Sequence, residues 1–192
     1  MINPAIISTQ LTYLVTSGIM KAFAQASAAT KVDQNLLLAI ASRESSMGLN
    51  LDKNWLGDNG NGIGLMQIDR RYHKQYAANN QPNDHFANVM KGALVLQDNL
   101  NRFQGNLKAA VAAYNAGPGS VQQAIDQGLD PDLFTTGQDY ARDVLNRYKI
   151  INALAGKGGI SNELKVLIGT TILAGVSGSV YFIQSNSKKS KR

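Results

Sequence analysis

The sequence predicts a mostly α-helical domain followed by a separate C-terminal apolar helix. Three observations carry this. Apolar residues recur at helical spacing through residues 1–155, no run of strands interrupts them, and residues 166–183 carry no charge at all. The 192 residues suffice for one well-buried domain with an appendage.

The elements follow in order. The N-terminal stretch has apolar character at residues 4–7 and 11–20, but no Lys or Arg before Lys21, and polar residues interrupt the run. It therefore reads as an amphipathic helix on the domain rather than a signal peptide. Ile19, Phe23 and Ala26 share one face of a segment ending near Ala29. Asp33 is an N-cap for the apolar run 36–40, which is too short for a membrane and ends in Ser42-Arg43-Glu44-Ser45, so it predicts a buried core helix. Residues 50–64 are rich in Asn, Asp and Gly and predict irregular chain, with room for a small hairpin in 50–70. Val89, Ala93, Leu96 and Leu100 form the stripe of a further helix. Residues 107–114 predict another, ended by Ala116-Gly117-Pro118-Gly119, and residues 139–154 the last.

Charge excludes some functions. The net charge is +6, but residues 1–155 hold 13 Lys/Arg against 12 Asp/Glu. The excess belongs to the tail, so charge gives no support to nucleic-acid binding by the domain. There is no cysteine, and His73 and His85 are the only histidines, which excludes disulfides and speaks against a metal site. No cofactor is expected. The carboxylates are uneven: residues 1–155 contain eleven Asp and one Glu, Glu44.

Four segments stand out: Ser42-Arg43-Glu44-Ser45; the run from Trp55 to Asp69; Ala112-Ala113-Tyr114-Asn115-Ala116-Gly117; and Asp139-Tyr140-Ala141-Arg142-Asp143-Val144. Singly, each reads as an ion pair, a loop, a core tyrosine or a helix start. Together and in this order they resemble goose-type lysozymes, relatives of the soluble lytic transglycosylases of glycoside hydrolase family 23. The resemblance covers about residues 15–153 and is densest over 40–74. It implies a lysozyme-like, mostly helical fold with a substrate cleft, and peptidoglycan glycan strands as the partner.

Glycoside cleavage needs an acid for the leaving oxygen and a group that meets the oxocarbenium-like carbon. A Glu that ends an apolar helix suits the first role, because partial burial keeps it protonated. Glu44 also corresponds to the family's catalytic Glu. The resemblance places Asp58 and Asp69 where goose-type lysozymes position water, which favours inverting hydrolysis of the β-1,4 bond between N-acetylmuramic acid and N-acetylglucosamine. Without such a base, the chain would be a lytic transglycosylase forming 1,6-anhydromuramic ends. A third reading, from another class, is a catalytically silent wall-binding protein.

Other positions are expected to shape the substrate site. Ser45 belongs to the Glu44 motif. Gly62 and Gly64 let backbone approach a sugar, and Gln67 and Asn115 offer amides to N-acetyl groups. His73, Tyr114 and Tyr140 match family residues near the acid and the sugar subsites. Trp55 and His85 receive no role.

The C-terminal expectations form a chain of their own. Residues 1–155 are taken as the catalytic domain, 156–163 as a Gly-rich linker, 164–184 as a transmembrane helix and 185–192 as a basic tail. The uncharged run would be about 27 Å long as a helix, with Tyr181 and the Lys/Arg cluster placed for a lipid interface. Gly175 and Ser179, four apart, suit helix-mediated self-association. A membrane-anchored enzyme facing peptidoglycan, without an export signal, suggests a phage virion with an internal membrane and virion partners, or an exported lysis enzyme.

Overall fold

The computed structural model describes residues 2–156. The described residues form eight α-helices and a small sheet, the helices being α1 (Pro4–Thr16), α2 (Met20–Thr30), α3 (Gln34–Ser45), α4 (Lys74–Asn79), α5 (His85–Arg102), α6 (Leu107–Ala116), α7 (Pro118–Asp126) and α8 (Tyr140–Gly156). Short 3-10 turns link several of them.

α3 is the axis of the core. Asp33 caps it, its carboxylate accepting from the Asn35 and Leu36 backbone N–H groups at 2.7 and 3.1 Å. Leu36 through Ser42 are buried on every side, so this stretch of the helix has no solvent face. It packs against α8 and α2. Its one buried hydroxyl in that stretch is satisfied: Ser42 Oγ donates to Gln10 Oε1 of α1 at 2.6 Å and accepts from Arg147 Nη1 of α8 at 2.9 Å. The helix stops at Ser46, whose φ of 52° is left-handed.

The expected hairpin is a three-stranded antiparallel sheet of two-residue strands: β1 (Leu56–Gly57), β2 (Gly62–Ile63) and β3 (Ile68–Asp69), in the order β1-β2-β3. So short a sheet cannot hold itself together. A single amide anchors it to α5. Asn88, fully buried, accepts from Met66 N at 2.9 Å and donates to Ile63 O at 2.8 Å and to Tyr76 Oη at 3.2 Å. Gly64 makes room for this amide. Its φ is +65°, and a Cβ there would lie 2.5 Å from Asn88 Cγ.

The apolar stripe of residues 89–100 forms the buried side of α5, which packs on α2 and α6. The Ala116–Gly119 break ends α6 but also starts α7, a helix absent from the sequence-based expectation. Gly117 (φ 79°) turns the chain and Pro118 occupies the first position of α7, where no backbone N–H is needed. α4, six residues with no buried position, is likewise additional to that expectation. The N-terminal stretch divides into α1 and α2 at Ser17-Gly18-Ile19.

The expected fold class needs one correction. Among the described residues no helix is long and apolar enough to cross a membrane. The longest, α5, carries Lys91, Asp98 and Arg102 along one side. The transmembrane helix expected at 164–184 and the basic tail at 185–192 lie outside the described residues, as does the linker after Gly156. Gly156 itself is the last residue of α8.

Asn88→Ala should lower stability by roughly 2–3 kcal/mol, because it strands buried backbone groups that the amide satisfies. Thermal unfolding checks this, and an unchanged midpoint would show that the sheet does not depend on the amide.

Candidate active site

A cleft of about 880 Å³ runs between the sheet and α5 on one side and the α6–α7 junction on the other. Glu44, Asp58, Gly62, Gln67, Asp69, His73, Tyr114 and Asn115 line it. Ser45, Gly64 and Tyr140 do not, and each has a place behind the wall.

Glu44 sits in the last turn of α3, half-buried at the end of the buried helix. Burial pushes its carboxyl up from the ordinary 4.5 to about 7. Two groups oppose that rise without cancelling it: the Tyr140 hydroxyl, which donates to Glu44 Oε1, and the positive charge of Arg43. Burial also pushes the Tyr140 and Tyr114 phenols well up, with the Glu44 charge adding to the effect, so both stay protonated donors.

Tyr140 is held from behind. It is the first residue of α8, and the buried Asp132 carboxylate accepts from the next two backbone N–H groups, Ala141 at 2.7 Å and Arg142 at 2.9 Å. Arg43 lies 5.8 Å from the Tyr140 ring centroid and pairs with Asp139 and Asp143 at 3.6 and 3.5 Å. The Asp139–Val144 motif thus orients the partner of Glu44.

Ser45 ties the end of α3 to the sheet region. Its buried hydroxyl donates to Leu65 O at 2.8 Å and accepts from Gly48 N at 3.0 Å. Tyr114 does similar work from α6, donating to Met66 O at 2.9 Å. The 64–67 turn is therefore gripped by α3, α5 and α6 together.

Gln67 closes that turn with φ 46°, its backbone N–H donating to Gly64 O at 3.1 Å. Its Nε2 donates to Gly64 O at 2.7 Å, and its Oε1 lies where a Cβ on Gly57 or Gly62 would be, within 2.2 and 2.1 Å. The two strand glycines thus make room for an amide of the protein itself. Asn115 Oδ1 accepts from Thr136 N at 2.8 Å, and both residues line the cleft.

Asp58, exposed in the turn after β1, and Asp69, half-buried in β3, meet at Arg71. Arg71 Nε donates to both Asp69 oxygens at 3.0 Å, and Nη2 reaches Asp58 Oδ2 at 3.3 Å. Hydrogen bonds from Arg71 hold the Asp69 carboxyl below its usual range. His73 is lowered by partial burial first and by Lys91 second, with Asp69 opposing, so it is neutral at pH 7. Trp55 and His85 pack edge-on with ring centroids 4.3 Å apart, away from this cleft. Among the described residues no group of three or more His, Asp or Glu could hold a metal ion.

Several lining residues lie outside the sequence-predicted set: Arg71, Tyr72, Thr136 and the α5 face of Lys91, Asp98 and Arg102. The α5 face has a signal. Lys91, Asp98 and Arg102 are spaced by seven and four, the charged counterpart of the apolar stripe. Nothing in that spacing says that the face borders a cleft rather than open solvent.

The family model described as Lysozyme g matches residues 17–153. Lysozyme g of Struthio camelus is 39% identical over 125 residues, covering 60% of this chain and 57% of the relative. Lysozyme g of Gallus gallus is 35% identical over 125 residues, covering 60% and 55%. Lysozyme g of Cyprinus carpio is 33% identical over 128 residues, covering 62% and 64%. The chain thus spans a little over half the length of these bird relatives and just under two thirds of the fish one. With the match reaching from α2 into α8 and taking in every residue of the cleft, the chain belongs to the lysozyme g family.

Proposed function

We propose that this chain is a muramidase that cleaves the β-1,4 bond between N-acetylmuramic acid and N-acetylglucosamine in peptidoglycan, with the domain facing that layer. One observation carries the reading: a carboxyl raised to about 7 shares a cleft with the carboxylates of Asp58 and Asp69. Glu44 is the general acid. Its proton is retained at near-neutral pH because burial disfavours the charge, and it passes to the leaving glycosidic oxygen. Asp58 and Asp69 hold a water for the opposite face of the sugar, as inverting hydrolysis requires. The low range of Asp69 supports this division, since a base must be ionised where the acid is not. Gln67, His73, Tyr114 and Asn115 border the sugar, while Ser45, Gly64 and Tyr140 act through the residues they hold. Membership of the lysozyme g family supports the substrate class.

Glu44→Gln should abolish release of glycan fragments from purified sacculi, because the amide has no proton to transfer. Near-normal release would remove Glu44 from the mechanism. The same substitution should stabilise the protein in alkali. Between pH 4.5 and about 7 the folded state keeps a proton on Glu44 that the unfolded chain has lost. The stability tied to that proton is full below 4.5 and is lost as pH rises through about 7. A neutral amide escapes this loss, so the Tm of Glu44→Gln should exceed that of the parent at about pH 8 and match it near pH 4. Equal Tm values on the alkaline side would mean that the carboxyl is not raised.

Mass spectrometry of the products separates the chemistries. Reducing muramic ends are expected. Anhydro ends would mean transglycosylation, and intact strands a wall-binding protein. Asp58→Asn and Asp69→Asn should each lower the rate, and the double variant should lower it further; normal hydrolysis by all three would deny both residues a part.

A further inference from the structure

We propose that Arg71 is a positioning residue for hydrolysis: its guanidinium bridges Asp58 and Asp69 and sets the spacing at which they hold the attacking water. This rests on the muramidase reading above.

The two aspartates come from different elements, and among the described residues no other side chain in the cleft joins them. Asp58 lies in an exposed turn and its side chain accepts one hydrogen bond among the described residues, from Arg71 Nη2 at 3.3 Å. Asp58 Oδ1 therefore stays free of donors from those residues. Asp69 is gripped harder, by Arg71 Nε at 3.0 Å on each oxygen and by the Arg71 backbone N–H at 2.8 Å on Oδ1. A planar guanidinium presents its donors in a fixed fork, so anchoring Nε and Nη2 on Asp69, the latter at 2.5 Å, fixes where the same Nη2 meets Asp58 Oδ2. The anchor is itself rigid. Tyr72 N and His73 N both return to Asp69 O, at 3.2 and 2.9 Å, and close a tight turn around Arg71. The Tyr72 ring lies 6.0 Å from the guanidinium.

Stability does not account for this arrangement. The Arg71 side chain is 56% exposed, and ion pairs so open to water contribute little to folding. Two carboxylates on one cleft wall also repel, and without a cation between them one takes up a proton more readily. Elsewhere on the wall the titratable and charged groups are Glu44 on α3, the neutral His73, and Lys91, Asp98 and Arg102 on α5. None of these forms an ion pair with Asp69 among the described residues. Arg71 is the cation that holds the Asp69 carboxyl low and joins it to Asp58.

The test uses the full chain as wild type, Arg71→Gln and Arg71→Lys, with initial rates on soluble peptide-free glycan chains measured across pH. In Arg71→Gln the acidic limb should move up by roughly one pH unit and kcat should fall roughly tenfold or more, with KM within about twofold. The alkaline limb, which Glu44 sets, should stay. Arg71→Lys keeps the charge without the fork, so it should retain the acidic limb while recovering only part of kcat. An unmoved acidic limb in Arg71→Gln, or one proportional fall in rate at every pH, overturns the proposal. Carbon-detected NMR titration of the Asp69 carboxyl, expected to shift upward in Arg71→Gln, needs no turnover. If the wild type cleaves no glycan, the muramidase reading fails, while this titration still decides whether Arg71 governs the pair.

Discussion

A carboxyl group withdrawn from water is the constraint around which the molecule is arranged. α3 must be buried on all sides before Glu44, just beyond its sealed segment, can be raised to about 7. That needs α8 and α2 against it, and it needs the polar atoms along it satisfied from α1 and α8. The site then limits its own effect. The Tyr140 hydroxyl and Arg43 both favour the ionised form, so the carboxyl stays titratable near neutrality instead of being locked as an acid. α8 thereby has two tasks: it seals the core helix and aims Tyr140 at the group that the core helix carries.

The other half of the cleft shows how a sheet too small to be stable can still be firmly placed. Each strand has two residues. What holds the 62–69 segment is a set of side-chain bonds to its backbone, from Ser45 on α3, Asn88 on α5 and Tyr114 on α6. Three helices that form the core also clamp the segment that carries Asp69. Core packing and site geometry are thus one set of contacts, and a change in any of the three clamps reaches the site through the backbone.

The two halves separate their carboxylates by environment. Glu44 is partly buried with a neutral hydroxyl as its hydrogen-bond partner and titrates high; Asp69 faces water and a guanidinium and titrates low. Residues of one chemical type take opposite protonation states at the same pH, which is the division of labour that glycoside hydrolysis asks for.

Much of this is legible in the chain itself. Helical period exposes α3, α5, α6 and α8, because a continuous apolar face leaves a repeat that local sequence records. Asp33 announces the start of α3, and the motif from Trp55 to Asp69 locates the segment that bears the aspartates. α4 and α7 leave little trace, because one buries nothing and the other begins at the Gly117-Pro118 pair that also ends its predecessor. The residue types of the site, Glu44 with Asp58 and Asp69, are readable from order and resemblance. Which glycine serves which purpose is not. Gly64 yields to Asn88, distant in the chain, and Gly57 and Gly62 yield to Gln67, a contact that depends on a left-handed turn. Ser45 and Tyr140 likewise face inward, and Arg71 acquires its second carboxylate only when β1 and β3 join one sheet. Local sequence determined which segments become helices and which side chains can carry acid and base chemistry. Tertiary structure alone decided what each side chain touches, because burial and hydrogen-bond partners come from segments distant in the chain.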